Sequence, residues 1–166
     1  RAQVHARDGY EALGALLPPP EKRALVLVDP PFESPDEFDR LAQALHVADQ
    51  KFRPATVLAW YPIKARAAPR AFHETLREAG LRHLLAAVLL LREPTDAARL
   101  NGCGMVLKNP PFGFEAAATP MLDALLARLG HAEPDAATRL LRIADGPDEV
   151  HRNQVARLEL KKYQHR

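Results

Sequence analysis

The segment that most restricts how this chain can fold is residues 24–28. Five apolar residues follow Glu21-Lys22-Arg23 and run directly into Asp29-Pro30-Pro31-Phe32. So short a run, rich in valine and leucine and without helical spacing, suits a strand buried in a parallel sheet. The two prolines cannot continue a hydrogen-bonded ladder, so the strand stops at a fixed point and presents Asp29 at its carboxyl end. In open α/β sheets, ligands bind at that end.

The rest of the chain alternates around this strand. Residues 2–5 read as a short strand-like piece, and residues 10–17 as a helix stopped by Pro18-Pro19-Pro20. Ser34 fits an N-cap, Pro35 the first helical position and Glu37 the far end of a capping box. Phe38, Leu41, Leu45, Ala48 and Phe52 then recur at steps that line one helical face. A second strand spans 55–60 and ends at Tyr61-Pro62; a helix over 69–79 is stopped by Gly80. Strands over 83–92 and 105–108 are joined by a polar loop and form an antiparallel pair. Thr119-Pro120 opens another helix, with Leu122, Leu125, Leu126 and Leu129 on one side and Gly130 at its end. Residues 138–144 make a last edge strand. The expected fold is α/β, a three-layer sandwich on a mostly parallel sheet with an antiparallel pair near the C-terminal end.

A nucleotide-binding glycine loop should follow a strand and open a helix. The Gly-x-Gly of this chain, Gly102-Cys103-Gly104, instead precedes a strand, so N-terminal strands and a cofactor loop are expected upstream of residue 1. The division expected is a catalytic portion over 1–145 and a charged tail over 146–166. Composition narrows the class. The chain has 166 residues, one cysteine, seven scattered histidines and a net charge of +2. One cysteine permits no internal disulfide and fits a reducing cytoplasm. Neither it nor the histidines show metal-ligand spacing, so no metal is expected. The longest apolar run, 84–91, is strand-length, far short of the ~20 residues of a membrane span; no membrane partner is expected, and the start has no cleavable apolar segment. The slight basic excess is compatible with a polyanionic partner but does not select one.

The chemistry of Asp29-Pro30-Pro31-Phe32 is more selective. The exocyclic amine of adenine is a poor nucleophile, because its lone pair is delocalised into the ring. Methylating it requires acceptors that hold its N–H groups and turn the lone pair toward the methyl sulfonium. The Asp29 carboxylate is one acceptor. A backbone carbonyl of the Pro30-Pro31 stretch is another, since proline offers C=O without a competing N–H. The prolines stiffen the loop, and Phe32 gives a flat apolar surface for an extruded base. The bland alternative is a simple turn, and Asn109-Pro110-Pro111-Phe112 competes for the same role; only one of the two can hold the target amine. Asp29 is favoured because a capped helix follows it directly, whereas Gly113 interrupts the other. Asp8-Gly9, between a strand-like segment and a helix, is a place where a carboxylate can accept from the adenine amine of a cofactor, although Asp-Gly is first of all a turn dipeptide. Trp60 and Tyr61 fit the walls of a base pocket or an ordinary core. Lys64, Arg66 and Arg70 fit phosphate contacts or a solvated helix face.

These blocks together resemble the RlmJ family, bacterial methyltransferases of adenine N6 in 23S ribosomal RNA. The resemblance rests on Asp8-Gly9-Tyr10, on residues 23–33 with Asp29-Pro30-Pro31-Phe32, on Trp60-Tyr61-Pro62-Ile63-Lys64, and on Gly104-Met105-Val106-Leu107 leading into Asn109-Pro110-Pro111-Phe112. Order and spacing agree over about residues 1–143. The resemblance implies a Rossmann-like methyltransferase fold, S-adenosyl-L-methionine as cofactor and 23S rRNA as substrate of a monomer. It implies Asp29 as the catalytic acceptor with Pro30, Pro31 and Phe32, and Asp8, Gly9 and Asp29 at the cofactor. Phe32, Trp60, Tyr61 and Lys64 would then face the substrate. The family's N-terminal glycine-containing cofactor loop has no counterpart here, Phe32 stands where many members have Tyr, and the tail after about 145 departs from the family ending. Other readings are a DNA adenine-N6 methyltransferase and a non-catalytic fragment or nucleic-acid-binding module.

Overall fold

The computed structural model describes residues 2–130 and 134–144. Its elements in chain order are α1 (Gly9–Leu16), β1 (Leu25–Val28), α2 (Glu37–Lys51), β2 (Thr56–Ile63), α3 (Ala67–Glu78), β3 (Leu84–Leu90), β4 (Gly102–Lys108), α4 (Phe114–Leu129) and β5 (Ala137–Ala144). The strands form one sheet in the order β1-β2-β4-β3-β5. The expected tail beyond 145 lies outside the described residues.

The mixed α/β character expected from the sequence holds, but the mostly parallel sheet does not. β1 and β2 are parallel, whereas β2–β4, β3–β4 and β3–β5 are antiparallel. The cause is the connection from β3 to β4. It contains no crossover helix, so β4 must return antiparallel beside its predecessor, and it slots between β3 and β2. β1, β2 and β3 nonetheless all run one way, so their carboxyl ends share one end of the sheet. β1 is also not the doubly covered strand that its composition suggested. It is an edge strand, with Leu25 73% and Leu27 67% exposed.

Other boundaries moved for local reasons. Residues 2–6 form no strand and are exposed. The capping box at Ser34 does not form: α2 starts at Glu37 after Asp36, Ser34 Oγ donates to the Asp36 carboxylate, and Glu37 turns elsewhere. β2 continues through Tyr61-Pro62 to Ile63. Its partner β1 ends opposite Ala59, so beyond that residue β2 is paired on one side only, where a residue lacking N–H is tolerated. α4 begins right after Gly113, which takes a left-handed φ of 78°, and carries Pro120 inside rather than at its start.

The core lies between the sheet and α2 and α3: Leu41, Leu45, Val57, Ala59, Leu76 and Val106 are fully buried. Arg139 and Leu141 of β5 face the side of α3, while Thr138 bonds to Asp123 and Arg142 to Glu115 on α4. Alternation along a strand therefore puts α3 and α4 on opposite faces of β5. Lys108 is buried at the amino-terminal end of β2. Its Nζ donates to Arg53 O (2.7 Å) and sits 3.0 Å from Asp49 Oδ1, tying the end of α2 to β4.

Candidate active site at the carboxyl end of β1

The Asp-Pro-Pro-Phe turn leaves β1 where register places Val28 opposite Ala59. Pro30 is buried beneath the turn, while Asp29 is exposed beside it. Phe32 adopts φ 54°, a left-handed conformation that a non-glycine residue holds only when its surroundings fix it. They do so here through rings: Phe32 packs edge-on against Phe38 (4.9 Å between centroids) and Trp60 (5.9 Å). The turn is thus clamped on its apolar side and open at its carboxylate.

That carboxylate opens onto a cleft of about 350 Å³. Its lining joins Asp8, Gly9, Tyr10 and Leu13 at the start of α1, Leu27 to Pro31 on β1 and its turn, and Glu37 and Arg40 on α2. The structure therefore brings together Asp8, Gly9, Asp29, Pro30 and Pro31, which lie in two separate sequence blocks. Asp8 is already heavily engaged. It caps α1, its Oδ1 accepting from the backbone N–H groups of Tyr10 (2.8 Å) and Glu11 (3.2 Å), and its Oδ2 lies 3.2 Å from Arg40 Nη2. The N–H of Glu11, then that of Tyr10, holds its carboxyl below the usual range. Asp29, by contrast, has no hydrogen-bond or ion-pair partner among the described residues. It is the free acceptor of the cleft.

Three polar lining residues, Tyr10, Glu37 and Arg40, had no site role expected from the sequence. Tyr10 Oη donates to the buried Glu37 Oε1 (2.7 Å), Arg40 Nη1 lies 3.7 Å from the same oxygen, and the Arg40 guanidinium covers the Tyr10 ring at 4.6 Å. Burial, then this bond to Glu37, pushes the Tyr10 hydroxyl far above its ordinary pKa, so it stays a donor. The Glu37–Arg40 spacing was visible as a helical neighbour pair, but nothing local links Tyr10 to a residue 27 positions away.

The remaining expected site residues fall outside this cleft. Tyr61 is completely buried and its Oη bonds His73 Nε2 (2.9 Å), so it is core rather than a surface for a base. Trp60 meets the site only through Phe32. Lys64 is exposed beyond β2 and is not part of the lining, and Arg66 and Arg70 pair with Glu93 (2.6 Å) and Glu74 (3.3 Å). The competing motif lies at the opposite end of the sheet. β4 runs antiparallel to β2, so its carboxyl end, with Lys108 opposite Val57, delivers Asn109 to the amino-terminal end of β2. There Asn109 Nδ2 donates to Arg53 O (2.6 Å) and Ala55 O (2.9 Å), and Phe112 is fully exposed. The two motifs that compete for one role in the sequence thus stand at opposite ends of the sheet, and Asn109 is spent on pinning backbone.

Comparison with known proteins points one way. The family model described as "Ribosomal RNA large subunit methyltransferase D, RlmJ" matches residues 1–141. A Haemophilus influenzae protein named "Ribosomal RNA large subunit methyltransferase J" is 34% identical over 112 residues, covering 68% of this chain and 40% of that protein. The Escherichia coli protein of the same name is 29% identical over 137 residues, covering 80% of this chain and 49% of the relative. A Legionella pneumophila protein of known crystal structure superposes with a TM-score of 0.73 at 29% identity, covering 82% of this chain and 49% of the other. The chain thus spans about half the length, or less, of the relatives it matches.

Proposed function

Because the chain belongs to the RlmJ family of ribosomal RNA large subunit methyltransferases, we propose that the cleft at Asp29 holds the N6 amine of an adenine in 23S rRNA for methylation. The observation that carries this reading is the state of Asp29. Its carboxylate is exposed and unpartnered at the end of a strand, on a turn fixed by buried Pro30 and by the packed ring of Phe32. A carboxylate left free on a rigid turn is a pre-organised acceptor, and its orientation of the amine is available without reorganisation during the reaction.

S-adenosyl-L-methionine, when bound, supplies the methyl group on a cationic sulfonium. The donor set suits such a molecule: Asp8, Asp29 and Glu37 put three carboxyl groups around one cleft, and Gly9 leaves open space at the start of α1. Asp8 and Gly9 would meet the cofactor on that side. Asp29 and a carbonyl of the Pro30-Pro31 stretch would take the two amine hydrogens. Phe32, half-buried, offers the base an edge of its ring rather than a whole free face.

The test uses the full-length protein, labelled S-adenosyl-L-methionine, and either deproteinised 23S rRNA or duplex DNA. Transfer to an adenine of the rRNA is expected, with loss of at least about a hundredfold in Asp29→Ala. Phe112→Ala, at the far end of the sheet, should transfer as wild type does. Equal turnover in Asp29→Ala would remove Asp29 from the mechanism. Labelling of DNA in preference to rRNA would replace the substrate.

A further inference from the structure

A second cleft, of about 520 Å³, lies between α3 and the sheet. Its walls include Ile63 of β2, Val88 and Leu90 of β3, and Leu141 of β5, with Pro69 and His73 of α3 opposite. Tyr61 and His73 form one edge of it, joined by their hydrogen bond. Around this apolar interior stand four arginines, Arg66, Arg70, Arg77 and Arg139, against a single acidic lining residue, Glu74. Arg66 is held by Glu93 and Arg70 by Glu74. Arg77 and Arg139 have no carboxylate partner among the described residues, and they approach the cleft from different elements, α3 and β5.

We infer that this cleft binds a nucleotide of the substrate strand, flanking the one whose base is at Asp29, with its phosphate between Arg77 and Arg139 and its base on the apolar walls. The volume is within the range of small-ligand sites, and an apolar interior under a cationic rim matches a base joined to a phosphate. Arginine suits that rim because its planar fork takes phosphate oxygens in pairs.

Position supports the same occupant. Ile63 and Leu90 are the last residues of β2 and β3, and Asp29 directly follows the last residue of β1. These three strands run in one direction, so the second cleft reaches the end of the sheet at which the first one lies. From β1 to β3 there are three interstrand steps of ~4.8 Å, a separation on the order of 14 Å, which a strand of a few nucleotides spans. The inference rests on the rRNA reading for the identity of the strand; the cleft itself is defined without it.

The experiment measures binding of a short labelled single-stranded RNA to the 166-residue chain by fluorescence anisotropy across a salt series. Wild type is compared with Arg77→Ala/Arg139→Ala and with Asp29→Ala. Both arginines are exposed, so the double variant should keep the wild-type circular dichroism and urea midpoint. It is expected to bind at least tenfold more weakly, with a salt slope shallower by about 0.7, the value for one neutralised phosphate on a single strand. Asp29→Ala should keep the wild-type slope. Unchanged affinity and slope in the double variant overturn the inference, whatever the outcome of methyl transfer. Conversely, arginine-dependent RNA binding without methylation of rRNA by the full-length protein sinks the proposed reaction and leaves the cleft standing. A polyglutamate peptide that competes as well as RNA of equal charge would mark a docking surface for acidic protein and also overturn the nucleotide.

Discussion

Gly104→Ala is expected to destabilise this protein far beyond a typical surface change, because Gly104 is the space in which Tyr61 sits. The two residues face each other across β2 and β4. A methyl group built on Gly104 falls 2.1 Å from Tyr61 Cζ, 2.2 Å from its Oη and 2.5 Å from its Cε2. Carbon atoms in contact need ~3.5 to 4.0 Å, so the ring must move by more than an ångström. Apart from the cleft that it edges beside His73, it has nowhere to go. Tyr61 is fully buried, with Phe72 and His73 at 5.6 and 5.5 Å between centroids and Phe38 at 6.2 Å. Overpacking of this kind costs about 1–3 kcal/mol. A displaced Tyr61 also gives up its hydrogen bond to His73, about 1 kcal/mol more. Alanine recovers about 0.5–1 kcal/mol through the lower chain entropy of the unfolded state. The net loss is about 1–3.5 kcal/mol, a shift of roughly 0.5–1.7 M in a urea midpoint at an m-value near 2 kcal/mol/M. The assay is urea denaturation of wild type, Gly104→Ala, Tyr61→Leu and the double variant. Leucine frees the space that the new methyl needs, so the double variant should be more stable than the two single losses added, by at least about 1 kcal/mol. A Gly104→Ala midpoint equal to wild type, or strictly additive losses, would refute the packing argument.

Two further outcomes follow from buried polar groups. Asp49→Ala leaves the Lys108 ammonium buried with only Arg53 O, and urea denaturation should show a loss near the lower end of the ~3–5 kcal/mol expected for a broken buried pair, since Asp49 is partly exposed; Lys108→Met should cost less, because it leaves no buried charge. Burial lowers the His73 pKa to about 4, so the unfolded chain, titrating near 6.5, binds the proton more readily than the folded one. The His73 contribution is therefore complete above pH 6.5 and is lost as pH falls from there toward 4; midpoints measured across that window should decline less in His73→Gln, and an unchanged decline would contradict the shift.

Much of the architecture was legible because it depends on local signals. Short apolar runs, Gly80, and the apolar stripe on α2 placed eight of the nine elements among the described residues within a few residues, and Pro30-Pro31 fixed where β1 must stop. The blocks around Asp8 and Asp29 were likewise readable as site material, since their chemistry is carried by residue type. Local pattern could not reveal strand neighbours. β4 inserts between β2 and β3, and that single choice turned a parallel expectation into a largely antiparallel sheet and sent Asn109-Pro110-Pro111-Phe112 to the end away from Asp29.

Sequence alone determined that an acceptor carboxylate would leave a strand on a stiff turn, because proline geometry and residue chemistry do not wait for tertiary contacts. Tertiary structure decided which carboxylate stays free. Asp8 is consumed by its helix cap and Arg40, Glu37 by Tyr10, and Asn109 by two backbone carbonyls, while Asp29 keeps its acceptor capacity. It also gave Gly102-Cys103-Gly104, which its place before a strand already set apart from a cofactor loop, its part in packing, because only the pairing of β4 with β2 brings the Tyr61 ring over Gly104. Hydrogen-bond capacity is finite and close-packed space is exclusive, and both are allotted between residues that the chain keeps far apart.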